Sequence, residues 1–262
     1  MNEQERIANA VFFEGMTSIR AVLKGNELGV NDRCIETLFF DKDAQKNKFR
    51  ELSFLKKMSE IHNFEIKYVD RHTIDSMSVG TSHGGVIAKC SDRNFSTSLP
   101  SSLDNKRFIV MLDGIEDPFN FGYALRSLYA FGVDMIVLPE RNWMSAASIV
   151  CRSSAGASEM CEILSADPEK AVEHFKSLGA SVVATAKEDS KPISEINIDF
   201  PLLLIVGGEK RGISTKILAI SDHIARIDYG RNFNSSLSAA SAAAILGYEV
   251  SKRISNVNTN QN

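Results

Sequence analysis

No apolar run in the 262 residues approaches the length needed to cross a bilayer or to form the hydrophobic part of a secretion signal. A membrane partner is therefore not expected, and the cytoplasm is the expected address. Cysteine is scarce, and Cys34, Cys90, Cys151 and Cys161 lie far apart with no C-x-x-C pair and no histidine cluster nearby. Neither a zinc site nor a disulfide scaffold is expected; reduced, mostly buried thiols are. The phosphate-cradling G-x-x-x-x-G-K-[ST] loop is absent, and no G-x-G-x-x-G follows a first strand, which disfavours a nucleotide-dependent enzyme of the usual kinds. An excess of one charge is also lacking, the net being −3. Indiscriminate nucleic-acid binding, which scales with the phosphates neutralised by Lys and Arg, is disfavoured. A local basic patch remains open, and the small cationic excess lies in the first part: 16 basic against 15 acidic residues up to Arg107, then 14 against 18.

What is present is the composition of an ordinary folded protein, 44% hydrophobic and 24% charged. The length exceeds that of a typical single domain, so two compact units are expected. The stretch SDRNFSTSLPSSLDNKR (91–107) is polar, Ser-rich and without apolar periodicity, and reads as a linker between a first domain (1–90) and a second (108–253). Residues 254–262, polar and Asn-rich, read as a frayed tail. In the first part ETLFFD, EIKYVD and GGVIAKC read as strands and DAQKNKFRELSFLKKMSEIHN as an amphipathic helix. In the second, RFIVMLDG, DMIVLP, ASVVATA and PLLLIVGG are Leu- and Val-rich runs suited to strands buried on both faces. The expectation is a small α/β domain followed by a mainly parallel sheet with helices on both faces. Ligands in such sheets gather at loops beyond the strands' C-terminal ends.

Three of those loops carry unusual residues. The first, IEDPFNFGYALRSLYAFGV, holds Asn120, Gly122 and Arg126, with Asn120 a candidate helix cap and Arg126 emerging further along the helix. Its bland reading is a capped helix with a surface arginine. The second, LLLIVGGEKRGIS, empties a buried strand into Gly207, Gly208, Glu209, Lys210, Arg211 and Gly212, with Ser214 a plausible cap. A glycine turn with a charged tip is the alternative. The third, IDYGRNFNSSLSAASAAAILGYEVSKR, breaks at Gly230 and Asn234 before a helix expected to start near Ser235 or Ser236, its surface lined by Ala239, Ala240, Ala242, Ala243 and Ala244. Small side chains let another backbone pack close; an Ala-rich buried helix of any α/β protein is the alternative.

Together the loops resemble the three motifs of the SpoU, or TrmH, family of RNA ribose methyltransferases within the SPOUT class. Asn120, Gly122 and Arg126 match N-x-G-x-x-x-R; Gly208, Glu209 and Gly212 match G-x-E-x-x-G; Ser236 and Leu237 open S-L-N-V-S-V-A. Upstream, EGMTSIRAVLKG and SHGGVIA are similar to the ends of that family's accessory RNA-binding domain. The resemblance implies S-adenosylmethionine-dependent 2′-O-methylation of rRNA or tRNA, a sheet tied in a trefoil knot, and a homodimer in which Arg126 of one chain faces the other chain's cofactor. DNA is not an expected partner, because the 2′-OH separates RNA from DNA. It further implies Arg126, Asn120, Glu209, Ser236 and Ser238 as catalytic residues. Val206, Gly207, Gly208, Gly212, Ile227, Tyr229 and Leu237 are implied to hold the cofactor, largely through main chain.

The sequence departs from the family pattern in two places. Ile227, Asp228 and Tyr229 stand where I-P-M is usual, and Ser238 and Ala240 replace the Asn and second Ser of the third motif. A serine hydroxyl can stand in for part of the amide's hydrogen bonding, whereas Ala240 offers none. A knotted RNA-binding dimer that has lost turnover is therefore the competing expectation. His83, beside Gly84 and Gly85, is read as structural or as an RNA-side contact rather than as catalytic. Trp143 and Arg141 are candidates for stacking on an unpaired base.

Overall fold

A computed structural model describes residues 11–80, 83–139 and 146–259; Arg141 and Trp143 lie outside them. The chain forms two compact units, Met1–Asn94 with Asn142–Met160, and Phe95–Arg141 with Cys161–Asn262.

The first unit runs β1 (Val11–Glu14), α1 (Gly15–Glu27), β2 (Ile35–Asp41), α2 (Phe49–His62), β3 (Glu65–Val69), α3 (Arg71–Met77) and β4 (Val86–Cys90). Its mixed sheet has the order β1-β4-β2-β3, with only β2 and β3 parallel. Three strands and α2 follow the sequence reading, although α2 starts only at Phe49, after a 3-10 turn over Lys42–Ala44. Phe13, Ile19, Leu38, Phe40, Leu55 and Ala88 form its core. The short helices Ala147–Ser153 and Ala157–Met160 belong to this unit. A buried ion pair holds the second of them: Arg33 Nε lies 3.0 Å from Glu159 Oε2, with side chains 3% and 4% exposed. Asn31 Nδ2 donates to the same carboxylate oxygen at 2.7 Å. Arg93, inside the stretch read as a linker, is buried and donates to the carbonyls of Ser158 and Val30, each at 2.6 Å. His83 is buried in this unit too, its Nε2 3.0 Å from Asp75 Oδ1 and its Nδ1 accepting the Gly85 N–H.

The second unit runs β5 (Phe108–Asp113), α4 (Pro118–Ala130), β6 (Met135–Leu138), β7 (Ile163–Ser165), α5 (Pro168–Ser177), β8 (Ser181–Thr185), β9 (Lys191–Pro192), β10 (Leu202–Gly207), α6 (Thr215–Ile220), β11 (His223–Arg226) and α7 (Ala239–Thr259). All seven strands are parallel, in the order β7-β6-β5-β10-β8-β11-β9. The continuous apolar runs are explained by burial on both faces. Ile109, Met111, Val182, Ala184, Leu203 and Ile205 pack with Ala171, Val172 and Phe175 of α5 and Ile217 of α6. Alternation sends Phe108, Val110, Leu202 and Leu204 to the opposite face, all fully buried. The pair α4 and α7 packs together, with Gly247 admitting Leu128 and Phe131.

Two helix boundaries differ from expectation. The last helix starts at Ala239 rather than near Ser235, because Ser238 Oγ accepts the Ser241 N–H at 3.2 Å and so caps it. It also continues to Thr259, through most of the stretch read as a frayed tail. No Gly or Pro follows Gly247, and Arg253 anchors the helix to the carbonyls of Ile193 and, at 2.7 Å, Ile196.

Candidate active site

The site is built at the C-terminal ends of β5, β10, β8 and β11, where parallel strands deliver their loops to one edge. Neighbouring β5 and β10 run in register to Gly207 opposite Asp113. Beyond that point the two backbones nearly touch. Gly208 donates its N–H to the Asp113 carbonyl, and a Cβ on Gly208 would lie 2.0 Å from the Gly114 oxygen. Only glycine fits there. The second loop then folds back, with Gly212 at φ +64 bridging to Gly208.

The helix cap in the first loop differs from expectation. Asp117, ahead of Pro118 at the first helical position, accepts the Asn120 N–H at 2.7 Å and is the cap. This frees the Asn120 side chain. Its Nδ2 donates to Glu209 Oε1 at 3.1 Å, and the same oxygen accepts the Ala239 N–H at 3.1 Å. Glu209 thus joins all three loops. Lys210 and Glu116 add a second link, 2.7 Å apart and well exposed, so of small energetic weight.

A cavity of about 520 Å³ opens beside this junction. Val206, Gly207, Gly208, Gly212, Ile227, Tyr229 and Leu237 all line it, together with Glu209 and Ser236. Asn120 lines a smaller neighbouring cavity of about 330 Å³ that shares Glu209 and Ala239 with the first. Ser238 and Arg126 line neither. The Ser238 hydroxyl is taken up by the helix cap and by Ser241 Oγ at 3.0 Å. Arg126 is exposed on α4, six residues beyond Asn120, and makes no ion pair among the described residues.

Sequence reading missed Thr185, Ala186 and Lys187 at the end of β8, and Arg226 and Asp228 beside Ile227, all of which line the large cavity. The signal for the first three was available, since ASVVATA reads as a strand and ligands gather past strand ends. Arg226 and Asp228 form an ion pair at 2.8 Å, and Arg226 also donates to the Ser190 carbonyl, which fixes the wall from outside. The Tyr229 hydroxyl accepts the Leu237 N–H at 3.1 Å and ties both ends of the third loop.

Parallel strands, three cross-linked loops and a cavity at their ends define an α/β protein with a small-molecule site in its second unit. The SpoU rRNA Methylase family pattern matches residues 107–248, and the pattern for RNA 2′-O ribose methyltransferase substrate binding matches residues 13–96. The chain belongs to the SpoU rRNA methylase family and is an RNA methyltransferase. It is 26% identical over 230 residues to a TrmH family tRNA/rRNA methyltransferase of Staphylococcus saprophyticus, covering 86% of this chain and 90% of that one. It is 29% identical over 177 residues to the 23S rRNA (guanosine-2′-O-)-methyltransferase RlmB of Coxiella burnetii, covering 65% and 70%. The fold is shared with an AdoMet-bound rRNA methyltransferase from Sinorhizobium meliloti, with TM-score 0.74 at 21% identity over 96% of this chain and 90% of that one. It is likewise shared with AviRb from Streptomyces viridochromogenes, solved with AdoMet, at TM-score 0.73, 21% identity and coverage of 97% and 95%.

The family takes its methyl group from S-adenosylmethionine. The large cavity fits such a group: its volume falls within the roughly 300–1,000 Å³ of small-molecule sites. Apolar Val206, Ile227, Leu237 and Leu246 wall it, beside glycines that leave main chain uncovered. Among the described residues no cluster of His, Cys, Asp or Glu could hold a metal, and no helix is long and apolar enough to cross a membrane.

Proposed function

We propose that the protein methylates the ribose 2′-oxygen of one nucleotide in structured rRNA or tRNA in the cytoplasm. The observation that carries this is the gathering of the seven expected cofactor-holding residues on one cavity, with Glu209 of the catalytic set at its junction with the other loops. When bound, S-adenosylmethionine supplies a methyl group activated by its sulfonium. The chain's part is to hold the 2′-oxygen in line with that methyl group and to exclude other geometries. Val206, Gly207, Gly208, Gly212, Ile227, Tyr229 and Leu237 hold the donor, and Ser236 lines the same wall.

A guanidinium offers a planar fork of N–H donors and no acceptor, so Arg126 serves as a clamp on the substrate phosphate rather than as a base. Its exposure without an ion-pair partner among the described residues suits that role. Asn120 and Glu209 keep the three loops in register around the reacting atoms. In a homodimer Arg126 of one protomer faces the cofactor of its partner. The apolar surface left on α4 and α7 supports that assembly: Tyr123, Ile245 and Tyr248 are 49%, 39% and 52% exposed. The trefoil threading of the second unit belongs to the same reading.

One observation favours a second reading, an RNA-binding dimer without turnover. The hydroxyl of Ser238, which replaces the motif Asn, is engaged in capping α7 and does not line the cavity. Calorimetry with S-adenosylmethionine separates the two. The enzyme reading expects binding and a thermal upshift at saturation; no heat and no upshift would favour the second.

A further inference from the structure

The third loop carries two exposed aromatic rings side by side, one of them on the wall of the large cavity. Tyr229, which lines the cavity, is 39% exposed, and Phe233 is 53% exposed. Their centroids lie 6.2 Å apart with planes tilted by 55°. Between them in sequence, Arg231 is exposed and makes no ion pair among the described residues. The Tyr229 ring is not free to swing, because its hydroxyl holds the Leu237 N–H at 3.1 Å. Exposed aromatic surface beside a cation, held in place before any ligand arrives, is costly to keep in water. It is also the surface on which unpaired nucleobases stack.

We propose that Phe233, backed by the Tyr229 ring and flanked by Arg231, is the stacking seat for an unpaired base of the RNA at or next to the nucleotide being methylated. The inference rests on the reading of the cavity as the methyl-donor site. A ribose 2′-oxygen reaching a methyl group in that cavity must cross its mouth, and the base attached to that ribose, or to its neighbour, is then within one nucleoside's reach of the loop. Arg231 supplies charge complementarity to the adjoining phosphate. The tilted, solvent-facing Phe233 ring leaves a face for the base, while Tyr229 fixes the wall behind it. Every base has a π-face, so the seat tolerates any base and favours purines.

The test uses the full chain, S-adenosylmethionine, and fluorescein-labelled A7 and U7 RNA oligonucleotides titrated in the presence of S-adenosylhomocysteine. Phe233→Ala is expected to weaken A7 binding roughly tenfold, in line with one lost stacked base, and to weaken U7 binding less. Cofactor affinity by calorimetry should stay within about twofold, a change well under the 1.4 kcal/mol of a tenfold effect. Phe233→Trp should restore A7 binding. Loss of cofactor affinity with RNA binding intact would make the ring a cofactor lid and overturn the proposal. Equal binding by wild type and Phe233→Ala, or no oligonucleotide binding by the wild type, would overturn it as well. If the wild type binds no S-adenosylmethionine, the donor-site reading fails, and the A7 result still decides whether Phe233 stacks on RNA.

Discussion

The side-chain amide of Asn120 and the carboxylate of Glu209, 89 residues apart, meet at 3.1 Å, and the oxygen that joins them also accepts the main-chain N–H of Ala239. One carboxylate oxygen therefore sets the spacing of three loops. Removing either partner should loosen the cavity without unfolding the sheet. Glu209→Ala and Asn120→Ala are each expected to weaken S-adenosylmethionine binding by about threefold to tenfold, since hydrogen bonds to charged groups contribute about 1.5–3 kcal/mol when shielded and less when exposed, as here. The double variant should be no worse than Glu209→Ala alone, with a coupling equal to the Asn120→Ala loss, about 0.6–1.4 kcal/mol. Strict additivity in calorimetry would show that the two residues act separately.

Ser238 caps the last helix in the structure. Ser238→Ala should lower stability by about 1 kcal/mol, the usual cost of a lost cap, and Ser238→Asp should keep it. Denaturant titration reads both. A Ser238→Ala variant of unchanged stability that loses methylation would make the hydroxyl catalytic instead.

Gly208 has no room for a side chain, its Cβ position lying 2.0 Å from the Gly114 oxygen. Gly208→Ala should cost about 1–3 kcal/mol, as overpacking does, and should abolish cofactor binding by displacing the second loop. Gly230→Ala is the control, since nothing lies within 4 Å of its Cβ position. Equal melting temperatures for the two variants would contradict the close approach of β5 and β10.

In the first unit, Glu159→Ala leaves the Arg33 guanidinium, 3% exposed, without its carboxylate. The expected loss is about 3–5 kcal/mol, the cost of stranding a buried charge. Glu159→Gln should cost less, because the amide oxygen still accepts from Asn31 or Arg33. A loss below about 1 kcal/mol for Glu159→Ala would mean that water reaches the pair, which then behaves as a surface one.

Much of this fold is legible in the residues, for reasons that differ by element. The runs FIVMLD and LLLIVG announce doubly buried parallel strands because neither face can afford a polar residue. The two-residue β9 and the mixed HIAR strand β11 carry no such signal; their place at one end of the sheet is set by pairing, β11 with β8 and β9 with β11. Asp117 and Asn120 are both good caps, and the choice between them turns on Pro118, whose fixed φ suits the first helical position. That choice decides whether Asn120 points into the helix or across to Glu209. In sequence the glycines of the second loop read as a turn with a charged tip; that the backbone of Gly114, 94 positions away, closes on Gly208 leaves no local signal. Arg33 and Glu159 look like surface charges in sequence and are buried only because distant segments meet.

The most direct test of the proposed function is mass mapping of ribose methylation in RNA from cells that carry the wild-type protein, Arg126→Ala, or no protein. At least one 2′-O-methyl group is expected in the wild type and absent from both other strains, while purified Arg126→Ala still binds S-adenosylmethionine within about twofold, as a residue acting on the substrate alone should. Identical methylation in all three strains, or loss of cofactor binding together with methylation in Arg126→Ala, would contradict the account.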